Sequence, residues 1–155
     1  ICQFLNSSVI EISVTVKGVD FNGVAPEEFV KGAKLWTNRD YVVKDLVREL
    51  KGFQFLPGTV QTGDSTMGRV SITAHGDGTI YVMLRLPKYM WKLEKEGWEL
   101  YPAAKASYID SKKRPKGQVF IAHRKVSDSE TVVLPGGDPD MTWGVIPIAK
   151  NIIQE

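Results

Sequence analysis

The chain has 155 residues, 43% of them hydrophobic, with 20 basic and 18 acidic side chains and a formal net charge of +2. Such a length and apolar content suit one core of ordinary size, and the balanced charge excludes the long-range field that gathers nucleic acid or an anionic membrane surface. No run of about eighteen apolar residues occurs, so membrane insertion by a helix is excluded and a neutral or mixed-polarity partner is expected.

Cys2 is the only cysteine, so no internal disulfide and no cysteine-based metal site can form. Nothing near Ile1 resembles a charged stretch followed by an apolar one, and the chain reads as a mature chain or an excised piece. Asn6-Ser7-Ser8 fits an N-glycosylation acceptor.

Residues Ile10 to Lys17 alternate apolar and polar, the period-two signature of a strand with one buried face. Gly18, Asp20, Asn22, Gly23 and Pro26 then break the pattern. The segment from Gly18 to Gly32 is the one soft boundary, so residues 1–155 read as a single domain, or as a 1–32 extension on a 33–155 core. Ala33-Lys34-Leu35-Trp36 and Tyr41-Val42-Val43 offer short strands around the polar turn at Thr37 to Asp40. Leu46, Val47 and Leu50 predict one or two helical turns closed at Gly52.

Phe53 to Leu56, Val70 to Ala74 and Thr79 to Leu86 are rich in β-branched and aromatic residues and read as strands. Gly76-Asp77-Gly78 between the last two predicts a tight hairpin, because an Asp-Gly pair tolerates positive φ. Lys88 to Glu96 reads as a short helix ending at Gly97. Gln118 to Arg124, Thr131 to Leu134 and Thr142 to Ile148 resume the strands, with Pro147 marking an edge strand or a strand end. Lys112, Lys113, Arg114 and Lys116 surround Pro115 and read as a solvated turn. Many short strands, frequent turns and no long helical pattern predict an all-β fold: an antiparallel β-sandwich, jelly-roll-like, with one or two short helical turns.

From Lys34 onward, the motif order resembles an accessory β-sandwich domain, akin to a carbohydrate-binding module, found in secreted bacterial proteins that act on polysaccharides. The resemblance rests on Asn38-Arg39-Asp40-Tyr41, Leu46 to Gly52, Thr79-Ile80-Tyr81-Val82, the Trp91 to Trp98 segment, Thr131 to Gly137 and Trp143 to Ile148. It covers roughly three-quarters of the chain and implies a non-catalytic, extracellular or cell-surface role. This chain departs from the pattern at Gln61 to Ser65 and around Arg85.

Serine catalysis needs a histidine base, and His75 and His123 lie in no recognisable nucleophile motif. Asp138 and Asp140 could ligate a structural calcium ion in a loop, or bond their own turn; no other cofactor is expected. Tryptophan faces stack on the C–H faces of sugars while cations and amides bond the hydroxyls. Trp36 and Trp143 fall in strand patterns and are expected in the core. Trp91, Trp98, Tyr89 and Tyr101, interleaved with Lys88 and Lys92 and preceded by Arg85, form the candidate ligand site.

Three readings follow: a carbohydrate-binding accessory module, a structural or protein-interaction domain, and a small polysaccharide hydrolase or lyase. The first is expected, with no catalytic residue assigned. Clustering of His75 or His123 with tyrosine, arginine and a carboxylate in one cleft would favour the third.

Overall fold

A computed structural model describes residues 12–18, 24–37, 39–46, 48–58, 70–84, 90–134 and 145–154, side chains excepted at 49, 91, 92, 102–105 and 145. Among these residues eleven strands follow one another: β1 (Ser13–Gly18), β2 (Glu27–Glu28), β3 (Val42–Leu46), β4 (Gln54–Phe55), β5 (Val70–His75), β6 (Gly78–Leu84), β7 (Glu99–Ile109), β8 (Pro115–Val126), β9 (Thr131–Leu134), β10 (Val145–Ala149) and β11 (Asn151–Gln154). A 3-10 turn at Arg48–Leu50 and one helix, α1 (Met90–Glu94), interrupt them. The chain is therefore an all-β sandwich with short helical turns.

One sheet has the order β11-β1-β5-β9 and the other β2-β4-β10-β6-β8-β7-β3. Pairing is antiparallel throughout except between β1 and β11, which run parallel with Val14 opposite Ile152. Alternation in β1 does what its sequence pattern implies. Val14 and Val16 point into the space between the sheets, where they join Ile72, Val132 and Ile152 from one side and Ile80, Val82, Leu84 and Ala122 from the other.

The seven-stranded sheet is covered on its second face as well. Tyr81 and Met83 of β6, Val119 and Ile121 of β8, and Ile146 and Ile148 of β10 pack there against Phe29, Leu35, Trp36, Leu50 and Phe53. Burial on both faces explains why β6 reads as a continuous apolar run instead of an alternating one. Trp36 is a core residue, as its strand-like setting implied.

The sequence reading needs three corrections in the fold. Gly76-Asp77-Gly78 is not a hairpin. Both edges of β5 are taken by β1 and β9, and both edges of β6 by β8 and β10, so the turn carries the chain from one sheet to the other. Asp77 Oδ1 accepts the Asp128 N–H at 2.8 Å and ties this corner to the β8–β9 turn, while Gly76 adopts φ +131° where a Cβ would press on Ile12 at 3.3 Å. Pro147 sits mid-strand in β10, which is an interior strand; its carbonyl accepts the Leu56 N–H at 3.3 Å. Residues 33–36 contribute isolated bridges at Lys34 and Trp36 in place of a strand.

Candidate functional site

The longest ladder joins β7 to β8 and changes character along its length. Glu99 pairs with His123 and Tyr101 with Ile121, and the next register pair is Lys105 with Phe120. Three residues, 102–104, are thus looped out of the ladder beside Tyr101. Bulges of this kind bend a strand and re-aim neighbouring side chains, and they are enriched next to binding sites.

Tyr101 lies flat on His123, with ring centroids 3.6 Å apart and planes 9° from parallel. Tyr81, one strand further in, lies 6.4 Å from the His123 ring and 6.2 Å from Tyr101. Tyr101 and His123 are half-buried, while Tyr81 is fully buried and its hydroxyl finds no hydrogen-bond partner among the described residues. Burial, with the adjacent Tyr101 phenol second, pushes the Tyr81 pKa far above the ordinary tyrosine range. Burial also raises Tyr101, with the Glu99 carboxylate adding to it. His123 moves the other way: burial lowers its pKa against the pull of Glu99, which keeps the imidazole uncharged at neutral pH.

Because β7 starts opposite His123, β8 runs on past it, and the turn after α1 folds in front. The notch is a cleft of about 340 Å³ lined by Glu96, Gly97, Glu99, His123, Arg124 and Lys125. Gly97 has φ +90°, and a Cβ there would stand 3.6 Å from Arg124 Nε, so glycine keeps this wall low. Arg124 is held by Glu130 at 3.2 Å, and Glu130 also accepts the Ser127 N–H at 3.0 Å, which fixes the guanidinium from behind. Among the described residues, two carboxylates, two cations and an uncharged imidazole make the lining charge-balanced.

Of the expected ligand residues, Tyr101 stands beside this cleft, stacked on His123, which lines it. Trp98 is corrected: it is 2% exposed, packed in the inter-sheet core, and offers no face for stacking. It is buried there because Trp98 follows the α1 turn and meets Leu93, whose carbonyl accepts the Trp98 N–H at 3.3 Å. The backbone of Trp91 and Lys92 lies in α1, and their side chains lie outside the described residues, as do Arg85, Lys88, Tyr89, Asp138, Asp140, Trp143 and the Asn6 acceptor. Sequence reading placed His123 in no catalytic motif and passed over Glu99, Arg124 and Glu96. Arg124 carried one signal, a polar run inside an otherwise apolar strand at His123-Arg124-Lys125, and Glu96 and Glu99 carried none.

His75 does not line this cleft; it lies on the outer face of the four-stranded sheet, where its Nε2 meets Thr15 Oγ1 in a short hydrogen bond. Among the described residues no three histidine, cysteine or carboxylate side chains gather to hold a metal ion. Among the described residues no helix is long and apolar enough to cross a membrane. Neither family models, nor curated proteins, nor solved structures give a match to this chain.

Proposed function

We propose that the chain is a carbohydrate-binding accessory module of a secreted or cell-surface protein, and that its glycan sits in the cleft between the α1–β7 turn and β8. The single observation behind this reading is the Tyr101–His123 stack beside a charge-balanced polar cleft. A half-exposed flat ring gives the C–H face of a sugar a platform. Carboxylates and cations in equal number accept from and donate to hydroxyls without demanding a charged ligand. Neutral or weakly charged glycans therefore fit better than polyanions.

Glycan-array binding and titration of the hits test it. Tyr101→Ala and Glu99→Gln should each weaken binding at least tenfold, roughly 1.4 kcal/mol, with far-UV circular dichroism unchanged. Binding that is equal in both variants removes the cleft from the reading, and a chain that holds no glycan removes the class.

The same cleft supports a second reading, bond cleavage in a polysaccharide, because His123, Glu99 and Arg124 line it and Tyr101 stacks on His123. An uncharged His123 is a base and a protonated Tyr101 an acid. Release of reducing or unsaturated ends from a polysaccharide panel, abolished by His123→Ala, would favour this reading over binding alone.

A further inference from the structure

A second concavity, remote in sequence from the cleft, lies where the edge strand β3 ends. It encloses about 380 Å³ and is lined by Phe29, Val30, Lys31, Leu46, Arg48 and Lys51. Two segments build it. The first follows β2: the Phe29 N–H donates to the Phe53 carbonyl at 2.8 Å, and the turn from Val30 to Ala33 closes at 3.0 Å. The second is the end of β3 and the 3-10 turn, where the Lys51 N–H donates to the Arg48 carbonyl at 3.1 Å.

Its chemistry differs from that of the cleft. The floor is apolar: Phe29 is fully buried, Leu46 half-buried, and Val30 is 39% exposed, one of three large apolar side chains that stand open to solvent among the described residues. Among the described lining residues the polar groups are all cationic, with Lys31, Arg48 and Lys51 exposed and no carboxylate beside them. None of the three cations makes an ion pair with a described residue. Glu28 precedes Phe29 on β2 but does not line the groove. Three like charges from two segments around an apolar floor repel one another until an anion arrives. The volume falls in the range of small-molecule sites, roughly 300–1,000 Å³, which are mostly apolar with a few placed polar groups.

We propose that this groove binds a small amphipathic anion, its carboxylate or sulfonate head against Lys31, Arg48 and Lys51 and its apolar body over Phe29, Val30 and Leu46. Arginine and lysine differ in geometry here: Arg48 can take a carboxylate in a bidentate fork, and the lysines act as point charges. A sugar hydroxyl finds no side-chain acceptor among the described lining residues, so the ligand class is distinct from that of the cleft.

Octanoate below its micellar concentration is the probe, with octanol and octylamine as neutral and cationic counterparts, followed by ¹H–¹⁵N NMR of the whole chain. Octanoate should give saturable shifts at Val30, Lys31, Leu46, Arg48 and Lys51, and octylamine should give none. The double variant Arg48→Glu, Lys51→Glu should weaken octanoate at least tenfold. Equal response to octanoate and octylamine, or an unaltered octanoate affinity in the double variant, overturns the proposal, as does the absence of saturable shifts at these residues. Should the double variant fail to fold, the selectivity of the wild-type chain between octanoate and octylamine decides the matter.

Discussion

At one end of the β7–β8 ladder Asp110 accepts hydrogen bonds from the Lys112 and Arg114 N–H groups at 2.9 Å each and from Arg114 Nε at 2.8 Å. At the other end Tyr81 keeps a buried hydroxyl with no well-formed hydrogen bond among the described residues, beside a half-exposed ring stack and a polar cleft. The first end satisfies every oxygen of its carboxylate, which lets the chain turn through Lys113 at φ +63°. The second leaves a buried hydroxyl whose one polar neighbour is the Tyr101 phenol, and native proteins carry few buried groups so weakly satisfied. One pair of strands thus spends one end on holding the fold and leaves the other free to meet a ligand.

The largest effect that sharpens this contrast is on Trp98, which sits near the cleft in sequence but in the core in space. Trp98→Ala should cost about 3–5 kcal/mol, as buried tryptophan truncations do, measured by urea unfolding; a change below 1 kcal/mol would put the indole back at the surface as a possible platform. Next comes Tyr81→Phe, which removes the orphan hydroxyl and should stabilise the chain by about 1 kcal/mol. It should also flatten the alkaline limb. The folded phenol holds its proton above the ordinary tyrosine value, so its contribution is present below about pH 10, where unfolded tyrosine ionises, and is lost as pH rises beyond that.

Asp110 gives the opposite limb. The Arg114 N–H, aided by the Arg114 side chain and the Lys112 N–H, holds its pKa below the usual aspartate range. The unfolded chain then takes up a proton at higher pH than the folded one, so stability present above the ordinary value drains away as pH falls through the folded value. Asp110→Asn should lower the urea midpoint at neutral pH and remove that acid dependence. The smallest shift is at His123. Glu99→Gln removes the charge that raises its pKa, so an NMR titration should find the imidazole titrating lower still; an unmoved titration would break the link between the two side chains.

Much of the fold was legible because burial on one face writes itself as alternation, as at Val14 and Val16, and burial on both faces as a continuous run, as in β6. What escaped was whatever depends on distant partners. An Asp-Gly corner has the same local chemistry whether its flanking strands pair with each other or part into different sheets, and the pairing of β5 with β1 and β9 decides which. Strand β7 went unread because Pro102, Ala103, Ala104 and Lys105 have weak strand preference, and its ladder spans them only by looping residues out. The site divided in the same way. Tyr101 stood out as an aromatic among cations, whereas His123 gains its place only when β8 sets it across from Glu99.

The most direct trial of the contrast between the two ladder ends is an NMR titration of the chain with a neutral oligosaccharide drawn from its array hits. Shifts confined to Glu96 to Tyr101 and Ala122 to Lys125, with Asp110 to Gly117 silent, are the expected result. Shifts gathered at the Asp110 turn or on the outer face of the four-stranded sheet, with the Tyr101–His123 stack unmoved, would contradict it.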